Sequence, residues 1–318
     1  ARGTQNINDP LINYWVATNG GKPLFNGIRD CNTFLENIAR VPDMESSEQN
    51  RWIAEVKFLK AYYHWFLLRM YGPIPIVDKN LPVSSSPDEV KVYRNPVDSC
   101  FNYIVDLIDS AALDLPAVVD FPVSEMGRIT KPIALAIKAR ILMNYASPLF
   151  NGNSDYANFV DNKGRQLFNP AYDPSKWQRA AQACKEAIDL CESLGYQLYH
   201  FIPPVGSSGV SIGPEIQTQM DIRNAVCEKW NSEMIWGASN SMVTTIQQYG
   251  LANIDPLRGN QNTGPEGEYA PPLKIARLFY TKNGLPINQD KTWNYAAMNS
   301  LNTAPPDQVY LQPGYVTA

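Results

Sequence analysis

The sequence predicts a mainly α protein: a scaffold of stacked helix hairpins over residues 22–195, then a loop-rich, irregular portion over residues 196–318. Three observations carry that reading. Apolar residues recur at three- and four-residue steps through several long stretches, the period of a helix with one buried face. Proline and glycine cluster at the edges of those stretches, where a helix starts or stops. Equivalent points of successive hairpins are 79 residues apart, from Trp52 to Lys131 and again from Pro96 to Ser175, as in the stacked units of an α-solenoid.

Taken in order, a first helix is expected over residues 24–41, "LFNGIRDCNTFLENIARV". The second carries an apolar stripe of Trp52, Val56, Leu59, Tyr63, Phe66 and Met70 and ends at Gly72-Pro73, because proline cannot continue the backbone ladder. The third runs from about Asn95 to Pro116, with Pro96 in its first turn. The fourth starts at Thr130, a residue type suited to capping, has Pro132 just inside and stops before Pro148. The fifth begins near Asp173 and Pro174, with Gly195 as its C-terminal cap. Beyond Gly195 the texture becomes rich in turns, with "SEMIWGAS" as a short buried strand and "PPLKIARLFYTKNGLPI" as a short helix leaving through a glycine turn.

Composition removes several function classes. The net charge is −4, and no Lys/Arg cluster offsets it, so a nucleic-acid partner is not expected. Charged residues make up only 18% of the chain, and amide, hydroxyl and aromatic side chains take their place. Residues 58–77, "FLKAYYHWFLLRMYGPIPIV", are apolar but contain Lys60, His64 and Arg69, which rules out a membrane span. His64 has no Ser/His/Asp or Cys/His company and reads as a packed histidine. The five cysteines form no CxxC pair and read as small buried hydrophobes; with only two histidines, no metal or other cofactor is expected. The carboxylate pairs Asp106/Asp109 and Glu186/Asp189 read as solvated helix faces rather than catalytic pairs.

The placement of some aromatics is more informative. Tyr14 and Trp15 precede the first helix beside "VATNGGK", which contains Asn19. Trp230 lies in "EKWNSE", and Tyr249 and Arg258 lie in "TTIQQYGLANIDPLRGN", read as a loop dense in amide side chains. Aromatic faces beside Asn, Gln and Arg suit a neutral polar ligand, so Tyr14, Trp15, Asn19, Trp230, Tyr249 and Arg258 are the candidate ligand-binding residues.

The linear order of several blocks resembles the SusD/RagB family. "RWIAEVKFLKAYYHWFLLRMYGPIPIV" is similar to the family's aromatic signature helix and its Tyr-Gly-x-[Ile/Val]-Pro exit. "FNGIRDCNTFLENI", "NPVDSCFNYIVDLIDSAALDLP", "GRITKPIALAIKARILMNYASPLFNG", "WQRAAQACKEAI", "SEMIWG" and "PPLKIARLFYTKNGLPI" follow the family order around it, across most of residues 25–287. The resemblance implies a tetratricopeptide-like scaffold carrying an irregular ligand-binding portion. It also implies a non-enzymatic role, as a surface lipoprotein of the outer membrane that captures an oligosaccharide and acts as the lid of a SusC-type TonB-dependent transporter. A peptide-binding lid of the same transporter type and a helical-repeat protein-interaction scaffold are the alternatives. The family's signal peptide and lipid-bearing cysteine are absent from this sequence, and the family continues past its last residue, so a fragment of a longer, lipid-anchored protein is expected. The ligand site is not part of the family's signature motifs, so the six candidate residues rest on their own chemistry.

Overall fold

A computed structural model describes residues 8, 10, 12–18, 21–203, 212–239, 243–250, 272–300, 302–303 and 316–317. They divide into two compact units, one of the described residues up to 239 and one of those from 243 onward. The first unit contains α1 (Leu24–Asn37), which tightens into a 3-10 turn at Ile38–Arg40, then α2 (Ser46–Tyr71), α3 (Val97–Ala112), the single turn α4 (Pro122–Glu125), α5 (Lys131–Ala146), α6 (Ser175–Ser193) and α7 (Pro214–Cys227). The second contains α8 (Val243–Gly250), α9 (Leu273–Ala276), a 3-10 turn at Tyr295–Asn299 and a two-residue antiparallel ladder of β1 (Asn302–Thr303) with β2 (Val316–Thr317). The described chain is mainly helical, as the sequence predicts. In the first unit α1 packs on α2, α2 on α3, α3 on α5 and α5 on α6, the tetratricopeptide-like row of helices that the sequence implies.

The expected stripe on α2 is not its most buried face. Trp52 and Met70 are 39% and 49% exposed, whereas Phe58, Ala61, Trp65 and Leu68 are at most 1% exposed. The reason is that α2 is sandwiched. The stripe faces α1 and the N-terminal turn, where Phe34 stacks on Trp52 at 6.3 Å and Tyr14 meets Phe66 edge-on at 4.8 Å. The other face joins Phe101, Ile104 and Ile108 of α3 in the main core. A helix covered on two sides is apolar nearly all round, which hides its principal face from a single-stripe reading.

The helix ends show which sequence signals acted as expected. Gly72 takes φ +70° and donates its N–H to Leu68 O, closing α2 before Pro73. Gly195 takes φ +87°; its N–H bonds Glu192 O and that of Tyr196 bonds Cys191 O, the paired bonds of a Schellman cap on α6. Thr130 occupies the N-cap of α5 but makes no side-chain cap bond, and its Oγ1 is buried without a partner. "SEMIWGAS" forms no strand, and "VTTIQQYG" is helix α8 rather than loop. α7 was not anticipated: its apolar positions follow no single stripe, and none of its residues is buried.

The Gly-Pro-Ile-Pro exit does not leave the scaffold at once. Ile74 is fully buried, Val77 N–H donates to His64 Nε2 at 3.2 Å, and Lys60 Nζ donates to Asp78 O at 2.6 Å. The chain therefore runs back along α2 from Tyr71 towards Lys60. No helix among the described residues is long and apolar enough to cross a membrane.

Candidate functional site

Two aromatic surfaces lie on the helical unit. The first begins at a turn over residues 13–18, bridged between Asn13 and Thr18. The Asn13 side chain accepts from Trp15 N at 2.9 Å and Val16 N at 3.2 Å, an Asx-type turn that sets the direction of the Trp15 ring. Tyr71 Oη accepts from Tyr14 N at 2.8 Å, clipping the turn to the end of α2. Gly21 makes this possible, since a Cβ there would sit 1.9 Å from Asn13 O. Trp15 meets Phe25 and Tyr71 edge-on, at 4.9 and 5.4 Å. Beside it, Arg69, Met70, Tyr156 and Phe159 border a groove of about 290 Å³ floored by Phe150 and Phe168.

The second surface is a cleft of about 250 Å³ between the loop before α5 and the segment after α7, bordered by Met126, Arg128, Tyr196, Trp230, Met234 and Trp236. Trp236 anchors it: its Nε1 donates to Gly127 O at 3.2 Å, and its ring meets Phe58 and Tyr62 edge-on at 5.8 and 5.6 Å. Trp230 forms the wall, with its ring 3.3 Å from where a Gly237 Cβ would stand. Its backbone has φ +54°, a conformation that costs a bulky residue roughly 1–3 kcal/mol. Asn231 holds it there, its amide donating to Ala225 O and Glu228 O at 2.9 and 3.0 Å.

Arg128, on the rim, is held at 3.0–3.1 Å by both oxygens of Glu55 and also by Glu125. Desolvation alone would lower its pKa, but the two carboxylates outweigh it and the pKa is raised. Glu125 is lowered in turn: its desolvation is outweighed by Arg51 and Arg128. Both groups stay charged, and their mutual pairing makes them wall rather than reagent. No cluster of metal-ligating side chains occurs among the described residues. Lys138 pairs with Asp109 at 2.6 Å and Lys185 with Asp189 at 2.7 Å, which makes these acids partners of lysines on helix surfaces.

Of the six candidate residues, Tyr14 and Trp15 share the first surface and Trp230 borders the second. The structure does not bring these together: the α2 residues that touch Trp15 and Trp236, Tyr71 and Tyr62, are separated by roughly 14 Å of helical rise. Tyr249 lies on α8 of the second unit, and Asn19 and Arg258 lie outside the described residues. Trp236 and Arg69 were missed. Trp236 was hidden in a segment read as strand, whereas Arg69 was visible as the i+4 neighbour of Trp65.

A sequence model of the SusD-like family, described as starch-binding and associating with the outer membrane, matches residues 4–143. A SusD-like protein, P25, from Formosa agariphila is 27% identical over 43% of this chain and 25% of its own length. The starch-binding protein SusD of Bacteroides thetaiotaomicron is 26% identical over 41% of this chain and 21% of its own. The solved structure of BT4246 is 33% identical and superposes with a TM-score of 0.70, covering 85% of this chain and 48% of that one. The chain thus spans about a quarter of the curated relatives it matches and about half of the solved structure. The SusD-like resemblance read from the sequence holds in sequence and in fold.

Proposed function

We propose that this protein is a non-enzymatic carbohydrate-binding subunit of the cell surface, one that captures an oligosaccharide and passes it to a SusC-type TonB-dependent transporter as its lid. The observation that carries the reading is the match of residues 4–143 to a family described as starch-binding and outer-membrane-associated. The chemistry of the helical unit supports it. Partly exposed rings at Tyr14, Trp15 and Trp230 offer faces for the C–H surface of a pyranose, with polar groups at their edges for its hydroxyls. The strained backbone of Trp230 fits a ring held ready in place. In this reading Tyr14 and Trp15 contact ligand on the first surface and Trp230 on the second, while Asn19, Tyr249 and Arg258 are candidates on their side-chain chemistry alone. The same reading includes attachment to the outer membrane through a lipid anchor.

Calorimetry against a panel of neutral and acidic oligosaccharides tests the proposal. Binding is expected with at least one of them, weakened tenfold or more by Trp15→Ala or Trp230→Ala, about 1.4 kcal/mol. Heat with peptides and none with any oligosaccharide would replace the ligand class. Association with the transporter but no small-ligand binding would favour a protein-interaction scaffold.

A further inference from the structure

The chain carries a formal charge of −4, yet one strip of the helical unit carries cations and no paired acid. Arg69 lies over the Trp65 and Phe66 rings at 4.7 and 5.0 Å, and Arg140 of α5 lies 5.8 Å from the same Trp65 ring. Arg94 lies over Trp15 at 5.3 Å, and Lys163 over Tyr93 at 4.0 Å. All four cations are exposed. The strip is continuous, because Phe66 touches Tyr14, Trp15 follows Tyr14 in sequence, and Arg94 donates to Tyr71 O at 3.2 Å beneath Trp15.

Elsewhere on the unit, cations meet carboxylates: Arg51, Lys60, Lys138 and Lys176 each do so. Among the described residues Arg69, Arg94, Arg140 and Lys163 form no ion pair, and Arg69 and Arg140 form no hydrogen bond. Beneath the arginines Trp65 is only 1% exposed, and its Nε1 is a buried donor without an acceptor. Asp161, in the same turn as Lys163 and accepting its backbone N–H at 2.9 Å, is paired with Arg165 at 2.7 Å. Arg69 and Arg140 therefore present donors without acceptors among the described residues, against an aromatic ring. Arg94 spends one guanidinium nitrogen on Tyr71 O and Pro73 O and keeps its charge unpaired. With Asp161 matched by Arg165, the four remaining cations leave a net positive excess that raises the local potential in an otherwise acidic protein and selects for an anion.

We propose that this strip binds an acidic glycan, with pyranose faces against the exposed Tyr93 ring and the half-buried Trp15 and Phe66 rings, and uronate carboxylates or sulfate esters at Arg69, Arg140 and Arg94. Guanidinium forks match both oxyanions bidentately, whereas a neutral sugar would leave the charges without a counter-ion. The inference rests on the carbohydrate-binding reading and adds the charge of the ligand.

The test is calorimetry of the intact chain with three tetrasaccharides: maltotetraose, tetragalacturonate and a chondroitin sulfate tetrasaccharide. At least one acidic sugar is expected to bind tenfold or more tighter than maltotetraose, with affinity falling as salt rises; which acidic arm responds separates carboxylate from sulfate. Arg69→Gln/Arg140→Gln is expected to remove most of that advantage while leaving the circular dichroism and the melting temperature unchanged. Lys163→Gln, on the far side of the strip, gives a second reading should the double variant fold poorly. Equal binding of neutral and acidic sugars, or acidic binding that neither variant alters, overturns this inference and leaves the carbohydrate reading standing. Binding of none of the three, but of a poly-glutamate peptide in a way that the variants abolish, overturns the glycan assignment.

Discussion

Val77 donates its backbone N–H to Nε2 of His64 at 3.2 Å, while Nδ1 of the same ring lies 2.7 Å from the Lys60 carbonyl. The imidazole is therefore neutral, with its proton on Nδ1, and it fastens the Gly-Pro-Ile-Pro exit to α2. The most conspicuous histidine of the chain is a structural pin, and Lys60, Asp78 and Tyr103 complete the knot around it.

The pin predicts an acid-sensitive stability. Burial pushes the His64 pKa down from 6.5 to about 4. The folded state thus binds its proton less readily than the unfolded chain. The stabilisation is present in full above about pH 6.5 and is lost as pH falls from there towards 4. Urea unfolding at pH 7 and pH 4.5 should differ by roughly 2 kcal/mol from this group. His64→Gln, which does not titrate, should lower stability at pH 7 and flatten the slope in that window.

Lys176 is 3% exposed and is held by Asp98 at 2.8 Å and by Phe150 O at 3.2 Å, over the Tyr145 ring. Lys176→Met leaves the Phe150 carbonyl without its donor and the Asp98 carboxylate, which keeps Tyr145 and water, without its cation, so a loss of about 2 kcal/mol is expected in chemical denaturation. Adding Asp98→Asn should recover part of it, a coupling that a double-mutant cycle measures.

The Tyr14–Trp15 turn depends on Gly21, because any Cβ there collides with the Asn13 carbonyl. Gly21→Ala should leave the cooperative unfolding of the helical unit within about 1 kcal/mol of the parent, since the core is untouched. The Trp15 environment should change in near-UV circular dichroism, and amide exchange at Tyr14 should quicken as its bond to Tyr71 Oη is lost.

Thiol reactivity should sort by burial. Burial raises the Cys31 and Cys100 pKa values to about 11, Cys191 is also buried with a raised pKa, and Cys227 is exposed. A thiol reagent at pH 8 should label Cys227 fast and the half-buried Cys184 more slowly, with the other three released only by denaturant. Fast labelling of Cys100 in the native protein would contradict its packing against Ile74.

The sequence by itself determined the helical scaffold, because local signals specify it: period, proline at helix entries, and glycine at Gly72 and Gly195 where φ must be positive. It also pointed to a packed His64, since no catalytic partner accompanies it in the sequence, and the fold supplied the burial. What it left open depends on residues far apart in the chain. Which face of α2 is the core was decided by α1 and α3 covering it on both sides, a matter of neighbours rather than of α2's own pattern. The Trp236 anchor on Gly127 joins positions 109 residues apart. The pairing of Arg69 with Arg140 on one buried tryptophan exists only because packing brings Arg140 of α5 to the Trp65 ring of α2. Local periodicity fixes helices; the convergence of rings and charges into a surface is made only when the helices pack.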